Sequence, residues 1–156
     1  MRMYYTPTLR EHDLGVMYTG SLVGIDIPAG TTQDINARCP GDCTSRFDAN
    51  LHIFSAMLHA HKAGTQVQTT LLDAEGNWKA DLGSEPFYDF NFQSQIALEP
   101  PVEMAPGDQI NTRCRFNTEG RTETTKFGLA SKDEMCLTYL WYYPKPPPAE
   151  TMNTCM

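Results

Sequence analysis

Apolar and polar residues alternate with a period of two along most of this chain. That spacing turns one face of a strand to a core and the other to water. "TQVQTTLLD" sets Val67, Thr69 and Leu71 against Gln66, Gln68 and Thr70. "VMYTGSLVGIDIPAG" alternates and stops at a Pro/Gly turn, and "TTQDINARC" is Thr-rich and extended. "LHIFSAMLHAHK" predicts a long strand, with Phe54, Ala56, Leu58 and Ala60 on its core face. "AEGNWKADL" leaves a Glu-Gly turn, and "DFNFQSQIAL" places Phe90, Phe92, Ser94 and Ile96 on one face. "APGDQINTRCRFN" leaves a Pro-Gly-Asp turn, and "MCLTYLWYYP" is an aromatic-rich closing strand. No segment holds a 3.6-residue apolar period, so helix content is expected to be small. About eight or nine short strands spaced by turns predict an all-β protein, an antiparallel β-sandwich of jelly-roll type.

The length of 156 residues suits one domain with a real core. The expected division is a domain over 1–143 and a stiff proline-rich tail over 144–156. The net charge of -7 opposes a nucleic-acid or anionic-membrane partner, since little here would neutralise phosphates. No stretch approaches the roughly 20 apolar residues that span a bilayer, so no membrane insertion is expected. "MRMYYTPTLREHD" lacks the apolar segment of a signal peptide. The five cysteines have no paired CxxC spacing, which disfavours a structural zinc site and suits disulfides in an oxidising compartment. The two observations together suggest a piece of a longer secreted or lumenal protein, with a cytosolic protein of reduced thiols as the alternative.

His59 and His61 in "SAMLHAHKAG" project from the same face of a strand, together with Met57 and Ser55. This spacing lets two imidazoles converge on one ion, the alternative being ordinary strand histidines that make hydrogen bonds; alone they do not complete a metal site. His52 is expected on the core face of the same strand, and His12 in a solvated N-terminal segment, so a sulfur ligand is the remaining option.

In order, "LHIFSAMLHAHKAGTQV", "PGDQINTRCRFNTEGRTETTKFG" and "DEMCLTYLWYYP" resemble the C-terminal catalytic domain of the copper type II, ascorbate-dependent monooxygenases. This is the family of dopamine β-monooxygenase and peptidylglycine α-hydroxylating monooxygenase. The resemblance runs from about Gly15 to Cys155. It implies a copper ion held by His59, His61 and Met135, where dioxygen is activated and an aliphatic C–H bond of a small-molecule substrate is hydroxylated. A thioether is a soft donor suited to Cu(I), and a His2Met set leaves a position open. The resemblance further implies disulfides Cys114–Cys136 and Cys39–Cys155, the latter tying back the tail; Cys43 as the partner of Cys155 stays open. Glu134, beside the methionine, is expected at the surface, with a role in orienting the strand as the alternative.

The same resemblance exposes departures. The peptide-hydroxylating branch has an arginine where this chain has Met57, and an asparagine where it has Leu137, whereas its tyrosine is kept as Tyr139. Losing the arginine removes a bidentate partner for a substrate carboxylate. An apolar or aromatic substrate is therefore expected. The family's second copper centre, in an N-terminal domain, takes electrons from ascorbate; its adjacent histidine pair is absent from this sequence. The expected partner is thus a missing N-terminal copper domain, and the expected location is secreted or in a secretory-vesicle lumen. The alternative is a stand-alone copper-binding or structural domain without the electron-supplying half.

Overall fold

The computed structural model describes residues 1–146 and the backbone of Thr154–Cys155. Strands β1 (Gly15–Ser21), β2 (Asp26–Ile27) and β3 (Thr32–Cys39) come first, followed by a single helical turn, α1 (Gly41–Thr44). Then come β4 (Leu51–Ala60), β5 (Gly64–Leu72), β6 (Trp78–Glu85), β7 (Ile96–Met104) and β8 (Gln109–Asn117). Two-residue β9 (Thr125–Lys126), β10 (Cys136–Tyr143) and two-residue β11 (Thr154–Cys155) complete the order. One sheet runs β11-β1-β10-β4-β7, a second β3-β8-β5-β6, and β2 pairs β9 separately. All pairings except that of β1 with β11 are antiparallel. The all-β sandwich expected from the alternation is what forms. Strand β7 carries Pro100 and Pro101, which fits its place at a sheet edge, where a missing N–H breaks no ladder.

The β5 alternation holds as read. Val67, Thr69 and Leu71 are buried, and Gln66, Gln68 and Thr70 are not. Two apolar clusters fill the space between the sheets. One contains Met17, Ile53, Leu71, Ile110 and Leu140; the other contains Leu58, Val67, Cys114, Phe116 and Cys136. Between them lies a layer of four buried threonines. Thr19 and Thr138 come from one sheet, and Thr69 and Thr112 from the other. Their hydroxyls bond in a chain, Thr19–Thr112 at 2.9 Å, Thr112–Thr69 at 3.3 Å and Thr69–Thr138 at 2.6 Å. Each buried hydroxyl thus finds a partner, which removes the cost of leaving it unpaired.

Two expectations fail on local geometry. In β4, Trp141 opposes Ser55 but Tyr142 opposes Ile53, so Phe54 is an extra residue, a β-bulge. The bulge reverses the side-chain alternation. Leu51 and Ile53 face inward before it, and Ala56, Leu58 and Ala60 after it. Phe54 therefore packs against Tyr143 outside the core, with ring centroids 6.1 Å apart. His52 likewise lies on the outward face, stacked on Tyr143 at 5.1 Å. The second failure is "DFNFQSQ", which is not a strand: β7 starts only at Ile96, and residues 86–95 form turns and loop. Phe92 is 80% exposed, whereas Phe90 packs against the second apolar cluster. Most of the proposed tail, 147–153 and 156, lies outside the described residues.

Candidate metal centre

Strands β4 and β10 bring the predicted residues together on the outward face of the larger sheet. Their register sets Leu137 opposite His59 and Tyr139 opposite Met57. Facing residues in a ladder share a side, so these four form one patch. Cys136 opposes Ala60 at the end of the ladder; Met135 immediately precedes Cys136 and His61 immediately follows Ala60. Met135 is 8% exposed and His61 5%. The two imidazoles stand edge to face, with centroids 5.2 Å apart. His59 also meets the ring of Tyr139 at 6.2 Å, and His61 that of Phe90 at 6.0 Å.

Hydrogen bonds fix how each imidazole presents itself. The Gln93 side-chain Nε2 donates to the Phe90 carbonyl at 2.8 Å, which turns its Oε1 toward His59. That oxygen lies 2.7 Å from His59 Nδ1. The carbonyl of Asp133 lies 3.1 Å from His61 Nδ1. Both partners only accept, so both Nδ1 atoms carry the proton and donate. In the neutral rings, the lone pair then resides on Nε2. This is the arrangement by which outer hydrogen bonds orient metal-binding histidines. Burial depresses the His59 pKa, against the opposing pull of the Gln93 bond, so the neutral form is favoured.

Glu134 corrects its surface assignment. It is completely buried. Its Oε2 accepts the His61 backbone N–H at 2.8 Å, and its Oε1 accepts the Ala63 N–H. Arg121 Nη2 stands 3.7 Å from the same Oε1. Burial pushes the carboxyl pKa up, while the Ala63 and His61 amides pull it down. The carboxylate thus clamps the chain on both sides of Lys62, immediately after the second histidine. Tyr88 performs a similar task one residue earlier: its hydroxyl accepts from Ala60 N at 3.0 Å and donates to Ala60 O at 2.6 Å. The remaining histidines stay remote. His52, seven positions before His59, lies roughly 20 Å away at the rise of a strand, and exposed His12 stacks on Tyr143.

The residue beside Met135 is pinned covalently. Cys136 forms a disulfide with Cys114 of β8, bridging the two sheets. Cys39 is also disulfide-bonded, and the side chain of its expected partner Cys155 lies outside the described residues. No group of three or more His, Cys, Asp or Glu converges among the described residues. A three-ligand site on this patch would therefore need a donor of another type, such as a thioether. Two imidazoles and a thioether form a donor set that fits copper, Cu(I) above all.

The family profile described as "Copper type II ascorbate-dependent monooxygenase, C-terminal domain" matches residues 12–156. The chain belongs to this family. It is 34% identical over 153 residues to "DBH-like monooxygenase protein 1" of Gallus gallus, covering 93% of this chain and 25% of that protein. The Homo sapiens protein of the same name matches equally, at 34%. "Dopamine beta-hydroxylase" of Equus caballus is 34% identical over 151 residues, covering 93% of this chain and 24% of the relative. The chain thus spans about a quarter of the length of these curated relatives. Family membership makes this a monooxygenase-related copper domain.

Sequence reasoning missed Gln93, Phe90, Tyr88 and the carbonyl of Asp133. Three of these sit in or beside the loop between β6 and β7, and the fourth acts through its backbone, which no side-chain motif can signal.

Proposed function

We propose that this chain is the oxygen-activating copper domain of a monooxygenase that hydroxylates an aliphatic C–H bond, with ascorbate supplying the electrons. The observation that carries this reading is the paired orientation of His59 and His61. Both Nδ1 atoms are bound to acceptors, which leaves both Nε2 atoms as donors on a patch bounded by Met135. Copper, when bound, supplies the one-electron chemistry that activates dioxygen.

The chain's own residues supply position and selectivity. Gln93 and Asp133 hold the imidazole tautomers. Glu134 and the Cys114–Cys136 bridge hold the segments that carry His61 and Met135. Met57, Leu137 and Tyr139 form the substrate-facing patch. Leu137 is nearly fully buried and Met57 has no charge, so the patch lacks a partner for a carboxylate. It suits an apolar or aromatic small molecule. Electrons arrive through an N-terminal copper domain of the same protein, and the protein works in a secreted or vesicular, oxidising setting. A Cys39–Cys155 bridge closes the domain.

Cu(I) titration into the chain tests the reading. One equivalent bound tightly, and lost in His59→Ala and Met135→Ile, supports it. No tight binding by the parent overturns it. For substrate class, the full-length protein should favour phenethylamines over glycine-extended peptides; the reverse preference removes the apolar-patch argument.

A further inference from the structure

Beside the candidate metal centre lies a cavity of about 550 Å³ whose walls carry Lys62, Arg121, Lys126 and Lys132. The chain has 12 lysines and arginines and a net charge of -7, so a third of its cations gather around one opening of an acidic protein. Three of the four are not neutralised: among the described residues, Lys62, Lys126 and Lys132 make no ion pair. Asp26, which faces Lys126 in the β2–β9 register, makes none with it either. Two acids, Glu123 and Asp133, share the lining, so cations outnumber anions four to two; one Asp133 oxygen accepts the Ala130 N–H at 3.4 Å.

Arg121 forms the rigid wall. Its Nη1 donates to Thr125 Oγ1 at 2.7 Å and to the Lys132 carbonyl at 2.8 Å, holding the two sides of the opening together. Thr122 and Thr124 add hydroxyls to the rim. Flexible ammonium groups around a braced guanidinium, with hydroxyls between them, suit a compact anion presenting several oxygens. Cations that share one opening repel one another, and a bound dianion relieves that repulsion.

We propose that this cavity is a binding site for a small dianionic oxyanion, phosphate- or dicarboxylate-bearing. The site is distinct from the metal centre and needs no metal to form. It adjoins that centre through Lys62, which follows His61, and through Lys132 and Asp133, which lead into Glu134 and Met135.

The test uses the metal-free chain, with phosphate, sulfate and malonate as probes and chloride at matched ionic strength as the control. Calorimetric titration should show saturable binding of phosphate. Backbone amide shifts should move at Lys62, Gly120–Lys126 and Lys132. Lys126→Ala and Lys132→Ala, both exposed changes, should each weaken binding about tenfold, the scale of one charge-assisted hydrogen bond. Lys145→Ala, remote from the cavity, should leave it unchanged. Malonate binding alongside phosphate supports a general dianion site, and phosphate or sulfate binding alone supports a tetrahedral oxyanion. Responses no larger than those to chloride, or equal weakening by all three lysine variants, overturn the proposal and leave the copper reading untouched.

Discussion

Gln93 shows how much a single outer residue can decide. Its amide is held by the Phe90 carbonyl, and it in turn holds the His59 proton on Nδ1. Gln93→Ala frees the ring to choose either tautomer. Cu(I) affinity, read by competition with a chromogenic chelator, should fall by about 10–100-fold, the usual cost of losing such a partner, while stability changes little. Glu134 should differ in its effect on stability. Glu134→Ala strips two buried backbone amides of their acceptor, each worth about 1–3 kcal/mol, so urea unfolding should shift by about 2 kcal/mol or more. Metal affinity should fall in step, because the chain after His61 loses its clamp. The contrast between these two variants separates orientation of a ligand from support of the strand that carries it.

Among the elements, β4 teaches most about what the sequence discloses. Its second half was legible: Met57 and His59 lie on one outward face, with His61 just beyond the strand end, because alternation there is regular. Its first half was not. "LHIFSA" sets apolar Ile53 and Phe54 side by side, and the pairings with β10 and β7 both shift there, with Phe54 the extra residue. An adjacent apolar pair does not say which of its two residues turns outward, and His52 changed face with the bulge. Glu134 was hidden for a different reason. A carboxylate beside lysine and aspartate looks solvated until the fold delivers two amides to it. The link between β8 and β10 is the strongest element-level constraint. Replacing Cys114 and Cys136 together by serine should cost about 3 kcal/mol for a loop of this size, and calorimetric Tm is the check. Gly20 is a second constraint, on the β1–β10 pair. It has φ +129°, and an added Cβ would collide with the Cys136 carbonyl oxygen. Gly20→Ala should therefore unfold at a visibly lower urea concentration and loosen the strand start that follows Met135.

For the whole molecule, acid stability offers a test with a definite sign. Asp34 on β3 pairs with Arg113 and Arg115 of β8, whose hydrogen bonds hold its pKa at about 2. A carboxylate with a depressed native pKa adds stability above its ordinary value of 3.8, and that stability is lost as pH falls toward about 2. Wild type should exceed Asp34→Asn in urea midpoint at pH 5, and the two should converge near pH 2. The pair is partly exposed, so the gap should be small and should shrink in high salt. The threonine layer acts across the entire sandwich. Thr69, Thr112 and Thr138 each sit between buried apolar neighbours two positions away on their own strands. Sliding one sheet past the other by one repeat would set hydroxyls against Leu71, Ile110 or Leu140 and strand them. The layer therefore works as a vernier mark, a single level at which the two sheets agree. Because either partner in each of its three bonds can donate, the chain of protons can run in both directions without moving a heavy atom. The sandwich is thereby locked against slippage by a contact that itself keeps two equivalent proton orders.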